Sequence, residues 1–548
     1  MVSAYRIYHH PMRVSSVAVL GAGSAGLLAA LTLKRKLPHL RVRVVRSPDI
    51  GIIAVGEGTT IVFARHLFEY LKVKPQLFYE EAKPTWKMGI RFKWGPRKEF
   101  VYTFSFEFEK HLPEVQRNNG FYYSDEYPWL GLASAFMLHD KVFPRRPDGL
   151  PMFHNNHAFH IENATFVGWL ENRCRDIGVE ITDATVKAEL GGEGIAALVK
   201  DNGERITADL YVDASGFRSE LLGRALNEPF RSYSDSLFCD RAVVGGWERG
   251  KDEPILPYTT SETMDSGWCW RIDHEHLINR GYVYASSFIS DDAAREEFLR
   301  KNPKISPDKT RVVKFRSGRY DRGWIGNVVG MGNAYGFVEP LEATSLQVIC
   351  LEASTLADAL LDCLCDTTPS MIRLYNRYNN DQWDDIRNFL AVHYKFNSRV
   401  DTPFWRACQA DVKLHGAQDI VDWYRENGPS VLAGTALVHS SNSFRMDGFM
   451  AILVGQNVPY EKVHQPTPAE QNYWQKYREE LAAQARAGMT SEQALHAIRT
   501  PGLEWGDPNA APPAVKGGQR AARPTGGAVP MPRNQLRQMP GARPPGYG

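Results

Sequence analysis

The sequence predicts an α/β fold, and three local observations carry that prediction. A short apolar strand at residues 17–20 runs directly into Gly21, Gly23 and Gly26. A Leu- and Ala-rich helix over 27–37 follows the glycines at once, and a second apolar strand comes at 42–45. A G-x-G-x-x-G turn between strand and helix is the Rossmann arrangement for a dinucleotide. The glycines allow a tight turn and close approach to a pyrophosphate, which the helix N-terminus then holds. Ser24 and Ala25 lie inside that turn.

The next elements follow in chain order. The strand at 42–45 ends in Arg46, where an acidic residue would bind ribose hydroxyls; an arginine there can meet a phosphate or stack on adenine. V-G-E-G-T-T (55–60) is a small-residue loop carrying Val55, Gly56 and Glu57. T-W-K-M-G-I-R-F (85–92) alternates as a strand does, with Trp86, Met88, Ile90 and Phe92 on one side and Lys87, Gly89 and Arg91 on the other. Alternation alone makes Lys87 a lysine on a solvated face. H-N-N-H-A-F-H (154–160) spaces three histidines by three and three without a carboxylate or cysteine set, which is no metal pattern; a helix is expected over 164–175. L-G-G-E-G-I near Gly191 suits a hairpin turn, so no second nucleotide loop is present for a nicotinamide.

D-L-Y-V-D-A-S-G-F-R-S (209–219) is a strand entering a turn with Ala214 and Gly216. In G-W-C-W-R-I-D (267–273) the period of two puts Trp268 and Trp270 on one face, as core packing alone would also favour. Residues 326–345 form a strand, a turn with Gly332, Asn333 and Phe337, and then P-L-E-A-T-S with Glu342, Thr344 and Ser345 at a helix start. Short polar side chains there suit helix capping as well as anion binding.

Composition sets the outer bounds. The chain has 548 residues, with 65 Lys+Arg against 63 Asp+Glu and a net charge of +2. A balance so near zero calls for neither a nucleic-acid partner nor a charged membrane surface. No apolar run reaches the length of a membrane helix and the N-terminus lacks a signal-peptide apolar region, so a cytoplasmic protein is expected. Seven scattered cysteines fit reduced thiols. Residues 501–548 hold 10 Pro and 9 Gly, a composition unable to bury enough apolar surface to offset its ordering entropy. A disordered tail is expected there.

Taken together, G-A-G-S-A-G, V-G-E-G-T-T, T-W-K-M-G-I-R-F, G-W-C-W-R-I and P-L-E-A-T-S resemble the flavin-dependent tryptophan halogenase family over roughly residues 15–465. H-Y-K-F-N-S-R-V-D-T-P-F-W (393–405) and D-G-F-M-A-I-L-V-G-Q-N-V-P (447–459) are similar to its helical C-terminal part. The resemblance implies an FAD-dependent monooxygenase-type (GR2-like) flavoprotein. Its FAD-binding domain would span 1–380 and its helical substrate-side subdomain 381–500, with the tail at 501–548. FAD, used as FADH2, would be held by Gly21, Gly23, Ser24, Ala25, Gly26, Arg46, Val55, Gly56, Glu57, Ala214, Gly216, Gly332, Asn333 and Phe337.

A separate NAD(P)H-dependent flavin reductase would supply FADH2. Halide, chloride or bromide, would bind at Thr344 and Ser345, and the hypohalous acid formed with O2 would pass to Lys87. Glu342 would face an electron-rich arene, an indole or tryptophan-like compound, while Trp268 and Trp270 wall it off from the flavin. Three positions depart from the family pattern: Arg46 replaces Glu, Asp273 replaces Pro and Ala343 replaces Ser. Two other readings share the fold, a single-component FAD-dependent aromatic hydroxylase and a non-catalytic FAD-binding protein. The assembly stays open between monomer and homodimer.

Overall fold

In the computed structural model the first predicted strand, Ser16–Leu20, lies inside a six-stranded sheet. The strand order is Trp324–Ile325, Val328–Gly330, Leu210–Asp213, Ser16–Leu20, Arg41–Arg46 and Glu180–Asp183. All neighbours run parallel except the outermost pair. The structure describes residues 12–500 apart from 49–50, 52–55, 110–111, 113, 116–122, 124–128, 154–155 and 193, and these belong to one compact unit. Parallel strands are covered on both faces, and the helix Ser24–Lys36 supplies one cover by burying Leu27, Leu28 and Leu33 completely. The geometry also collects the C-terminal ends of Ser16–Leu20, Leu210–Asp213 and Val328–Gly330 at one edge. Open α/β sheets bind ligands outside that edge.

A seven-stranded sheet stands beside it, ordered Arg311–Lys314, Arg241–Glu248, Leu277–Tyr284, Gly267–Asp273, Thr259–Met264, Gly89–Lys93 and Phe100–Thr103. A third, small sheet pairs Glu57–Gly58 and Thr85–Lys87 with the central strand Ala158–Ile161. The single strand expected over 85–92 is therefore two. Thr85–Lys87 and Gly89–Lys93 belong to different sheets, and the chain crosses between them at Met88, whose N–H donates to the Pro257 carbonyl at 2.7 Å. Both sides of this segment face protein, so Trp86, Lys87 and Met88 are all fully buried.

The hairpin expected near Gly191 joins Val186–Gly191 to Gly194–Lys200, and the helix expected after His160 is Asn163–Asp176. Glu162 caps that helix, its carboxylate accepting the Ala164 and Thr165 N–H groups. The C-terminal part is helical, from Ser345–Asp362 and Pro369–Phe396 through Ser491–Ile498. The boundary expected at 380/381 falls inside Pro369–Phe396, a helix of 28 residues, so no linker sets the helical part apart. That helix starts where Thr368 accepts the Met371 N–H and Pro369 takes the first position. Its last turns pack on Trp94 and Trp405, with Tyr394 stacked on Trp405 at 5.7 Å. Among the described residues no helix is long and apolar enough to cross a membrane. The tail at 501–548 lies outside the described residues.

Candidate active site

At the C-terminal edge of the parallel strands the glycine turn is forced by space. Gly21 has φ +114°, and a Cβ there would stand 2.3 Å from the Ala214 carbonyl oxygen. A Cβ on Gly26 would come within 1.9 Å of the Gly21 carbonyl oxygen. Gly23 differs: nothing lies within 4 Å of its added Cβ, and it immediately precedes the helix Ser24–Lys36. Open space against uncapped helix N–H groups is a cradle for a phosphate. Ala214 and Gly216 follow the strand Leu210–Asp213, and Gly332 sits beside Ala25, to which a Cβ would approach within 3.0 Å. Phe337 packs on Phe217 at 4.9 Å, while Asn333 is half-buried between Gly332 and Ala334.

Glu57 connects this edge to the small sheet. Its Oε1 accepts from Asn163 Nδ2 at 2.9 Å, and Asn163 Oδ1 accepts from Ser24 Oγ at 3.2 Å. The other oxygen, Oε2, is enclosed with no partner among the described residues, and burial lifts the carboxyl to about 7. An orphaned, neutralisable acid beside an open glycine cradle fits a polar cofactor such as a flavin. Gly56 sits close against His274 and Asn279; Val55 lies outside the described residues. Arg46 has another use than expected. Its Nε meets Asp183 at 2.6 Å and its Nη1 meets Glu171 at 2.8 Å, so two protein carboxylates already occupy its guanidinium. Asp183 is its register partner on the adjacent parallel strand, a pairing that only the sheet order creates.

Lys87 is pinned from two directions. Register places it opposite Ala158, and its Nζ donates to the Thr59 carbonyl at 3.0 Å. Thr59 is held in turn by Phe159, through its own N–H and through Oγ1, at 2.8 Å each. Lys87 has no exposed surface, and its ammonium lies 5.4 Å from the Phe104 ring centre. Burial, countered in part by the charge of Glu342, brings its pKa down to about 7. The solvated-face expectation from alternation fails here, because the third sheet covers that face.

Glu342 closes a 3₁₀ turn, Pro340–Glu342. Ala343 follows with φ +55°, and the helix Ser345–Asp362 begins with Thr344 at its N-cap. Thr344 is buried and its side chain makes no capping bond. A Cβ on Gly58 would lie 3.1 Å from Ala343 Cβ and 3.4 Å from Lys87 Nζ, so the strand Glu57–Gly58, the lysine and the Glu342 turn meet around one glycine. Glu342 itself lines a cleft of about 780 Å³ together with Thr60, Tyr102, Phe104, Gln347 and Phe444. Lys87 stands behind the wall of this cleft and Glu342 in it. Trp268 and Trp270 share a face as expected, with ring centres 6.0 Å apart, and neither indole N–H finds an acceptor among the described residues. Asp273, the residue in place of Pro, is buried against Arg271, and its carbonyl accepts the Thr85 hydroxyl at 2.7 Å.

Three residues were given no role from sequence. Glu352, buried on Ser345–Asp362, accepts the Gly332 N–H at 2.7 Å and the Trp383 Nε1–H at 3.1 Å, fixing the turn beside Ala25. An acidic residue inside L-Q-V-I-C-L-E-A was the available signal. His160 opposes Thr85 and contacts Thr259 Oγ1 at 2.9 Å; burial and the neighbouring Lys87 hold its pKa well below 6.5. His393 contacts Glu342 at 2.8 Å. Among the described residues no His, Cys, Asp and Glu group could hold a metal, and His154 lies outside them.

Comparisons with known proteins identify the family. A family model described as tryptophan halogenase matches residues 16–472. The tryptophan 6-halogenase ThaL of Streptomyces albogriseolus is 31% identical over 76% of this chain and 83% of its own length. The tryptophan 7-halogenase KtzQ of Kutzneria sp. (strain 744) is 32% identical over 77% and 84%. Among solved structures, MibH, a lathipeptide tryptophan 5-halogenase, superposes with a TM-score of 0.80 at 34% identity, covering 90% of this chain and 95% of that one.

Proposed function

The chain belongs to the tryptophan halogenase family, flavin-dependent enzymes, and from that premise we propose that it halogenates the indole ring of a tryptophan-like substrate at the cleft containing Glu342. The observation that carries this reading is the pairing of a fully buried Lys87 behind the cleft wall with a carboxylate, Glu342, in it. Gly21, Gly23, Gly26, Glu57, Ala214, Gly216 and Gly332 would hold FAD along the sheet edge. Bound and reduced, the flavin supplies hypohalous acid from O2 and halide. Thr344 and Ser345 would bind the halide at the start of Ser345–Asp362, where unpaired N–H groups favour an anion.

Lys87 then holds the halogen donor. With a pKa near 7 it offers an ammonium to hydrogen-bond hypohalous acid or a free amine to carry the halogen, in a place that water reaches poorly. As the C–X bond forms, either the O–X bond of the hypohalous acid breaks and the hydroxide leaves as water with a proton from the Lys87 ammonium, or the N–X bond of the haloamine breaks and returns the Lys87 amine. Glu342 stabilises the cationic ring adduct and accepts its proton. The buried Trp268 and Trp270 would keep the ring away from the flavin. A volume of about 780 Å³ lies in the upper part of the ≈ 300–1,000 Å³ range of drug-sized ligand sites, leaving room for more than one indole. FADH2 would come from a separate NAD(P)H-dependent reductase, since the chain has one glycine-rich nucleotide turn.

The test combines purified protein with a flavin reductase, NADH, FAD and bromide. The ring donors are indole, tryptophan and tryptophan-containing peptides. A bromine isotope doublet in the product mass spectrum is expected only with reductase present. Hydroxylated product without halide dependence would overturn the reading in favour of the hydroxylase.

A further inference from the structure

Glu342 is held from behind by an imidazole. His393 sits fully buried on the helix Pro369–Phe396, with Nε2 2.8 Å from Glu342 Oε1 and Nδ1 2.9 Å from the Phe389 carbonyl oxygen one turn earlier. The rings of Phe92, Trp94 and Phe389 surround it at centre distances of 5.3, 6.5 and 4.9 Å. Trp94 Nε1 donates to the His393 carbonyl at 2.9 Å, anchoring the backbone beneath the ring. Among the described residues the imidazole's polar contacts in this apolar cage are these two oxygens.

Proton accounting follows from the donor inventory. A backbone carbonyl only accepts, so Nδ1 carries a hydrogen. A neutral ring of that tautomer would turn a lone pair toward Glu342, and two lone pairs at 2.8 Å in an apolar setting repel. A hydrogen between Nε2 and Oε1 is what makes the 2.8 Å contact a hydrogen bond. That bond engages Oε1. Oε2 has no hydrogen-bond partner among the described residues, and it belongs to a side chain that lines the cleft.

We propose that His393 is a positioning residue for Glu342. It ties Oε1 down, fixes the plane of the carboxyl group and leaves Oε2 as the oxygen that meets the reacting ring. The inference rests on the halogenase reading for the identity of that ring. When the adduct loses its proton, the C–H electron pair restores aromaticity and the proton goes to Oε2, while His393 keeps Oε1 occupied. A carboxyl free to rotate would spread its acceptor over many directions, and misplacement of a reacting group by about 1 Å costs on the order of a hundredfold in rate.

The experiment uses the full chain with reductase, NADH, FAD, bromide and the indole substrate that the wild type converts best. His393→Phe fills the cage without a donor and should lower kcat by about a hundredfold with KM within about twofold and flavin affinity unchanged. His393→Gln carries an amide N–H that can reach Oε1 and should recover most of the loss. Either a His393→Phe kcat within about threefold of wild type, or a His393→Gln no faster than His393→Phe, overturns the proposal. A measurement independent of both variants uses ¹⁵N-histidine-labelled protein. The wild type should show a protected imidazole N–H at His393 Nε2 that disappears in Glu342→Ala, and its absence from the wild type also overturns the proposal. A wild type that forms no halogenated product would fault the halogenase reading instead, leaving the resonance to judge the pair.

Discussion

At the residue scale, Lys87 concentrates the argument. Its alternation in T-W-K-M-G-I-R-F allows a solvated lysine, whereas the strand Ala158–Ile161 covers the face it occupies. Burial then sets its charge state and a testable stability term. In the native chain the pKa is about 7, against 10.5 for an ordinary lysine, so between those values the unfolded chain binds the extra proton. Stability attributable to Lys87 therefore rises with pH across that window, and its cost is fully present below about 7. Lys87→Met should raise unfolding free energy below pH 7 by on the order of a few kcal/mol, a gain that fades toward alkaline pH. Denaturant melts at several pH values check this; an equal gain at all pH values would show that burial does not set the charge. The same variant should form no halogenated product while flavin reoxidation continues, with hypohalous acid released to a chemical trap. Arg46 makes the complementary point. Its identity was legible, but its occupation by Asp183 and Glu171 was not, because both partners lie more than a hundred residues away.

At the element scale, the strand, glycine turn and helix over 16–36 were readable because each signal is local: apolar run, turn residues, helix formers. The three glycines nonetheless have different reasons. Gly21 and Gly26 are required by the protein's own backbone, whereas Gly23 faces open space. Gly23→Ala should leave the unfolding free energy of the flavin-free protein within the usual surface-substitution range of about ±0.5 kcal/mol while weakening FAD binding, as titration of flavin fluorescence would report. A matching loss of fold stability would show that Gly23 serves the turn rather than the cofactor. The helix Pro369–Phe396 shows the opposite kind of information. Its cap, Thr368 with Pro369, is a sequence signal, yet its placement of His393 against Glu342 depends on packing across Trp94 and Trp405.

At the scale of the whole molecule, buried carboxyls dominate the pH response. Burial raises Glu57 to about 7 and Glu339, Glu352 and Asp447 to about 8. From pH 6 upward the unfolded chain has lost these protons, while the native chain gives them up only as pH passes about 7 for Glu57 and about 8 for the other three, so stability falls as pH rises; Lys87 opposes this only above about 7. Flavin-free protein should be less stable at pH 8 than at pH 6, by on the order of a few kcal/mol, and an equal or higher denaturation midpoint at pH 8 would refute it. The sequence by itself determined the nucleotide unit, the family pattern, the shared face of Trp268 and Trp270, and the helix start at Thr344, since each depends on neighbours a few residues apart. Only the tertiary structure decided that Lys87 is buried, that its strand changes sheets at Met88, that Arg46 is already paired and that His393 backs Glu342. Burial, register and ion pairing are properties of distant segments brought together. Local periodicity specifies which face of a strand a side chain occupies, while what covers that face is set by the rest of the chain.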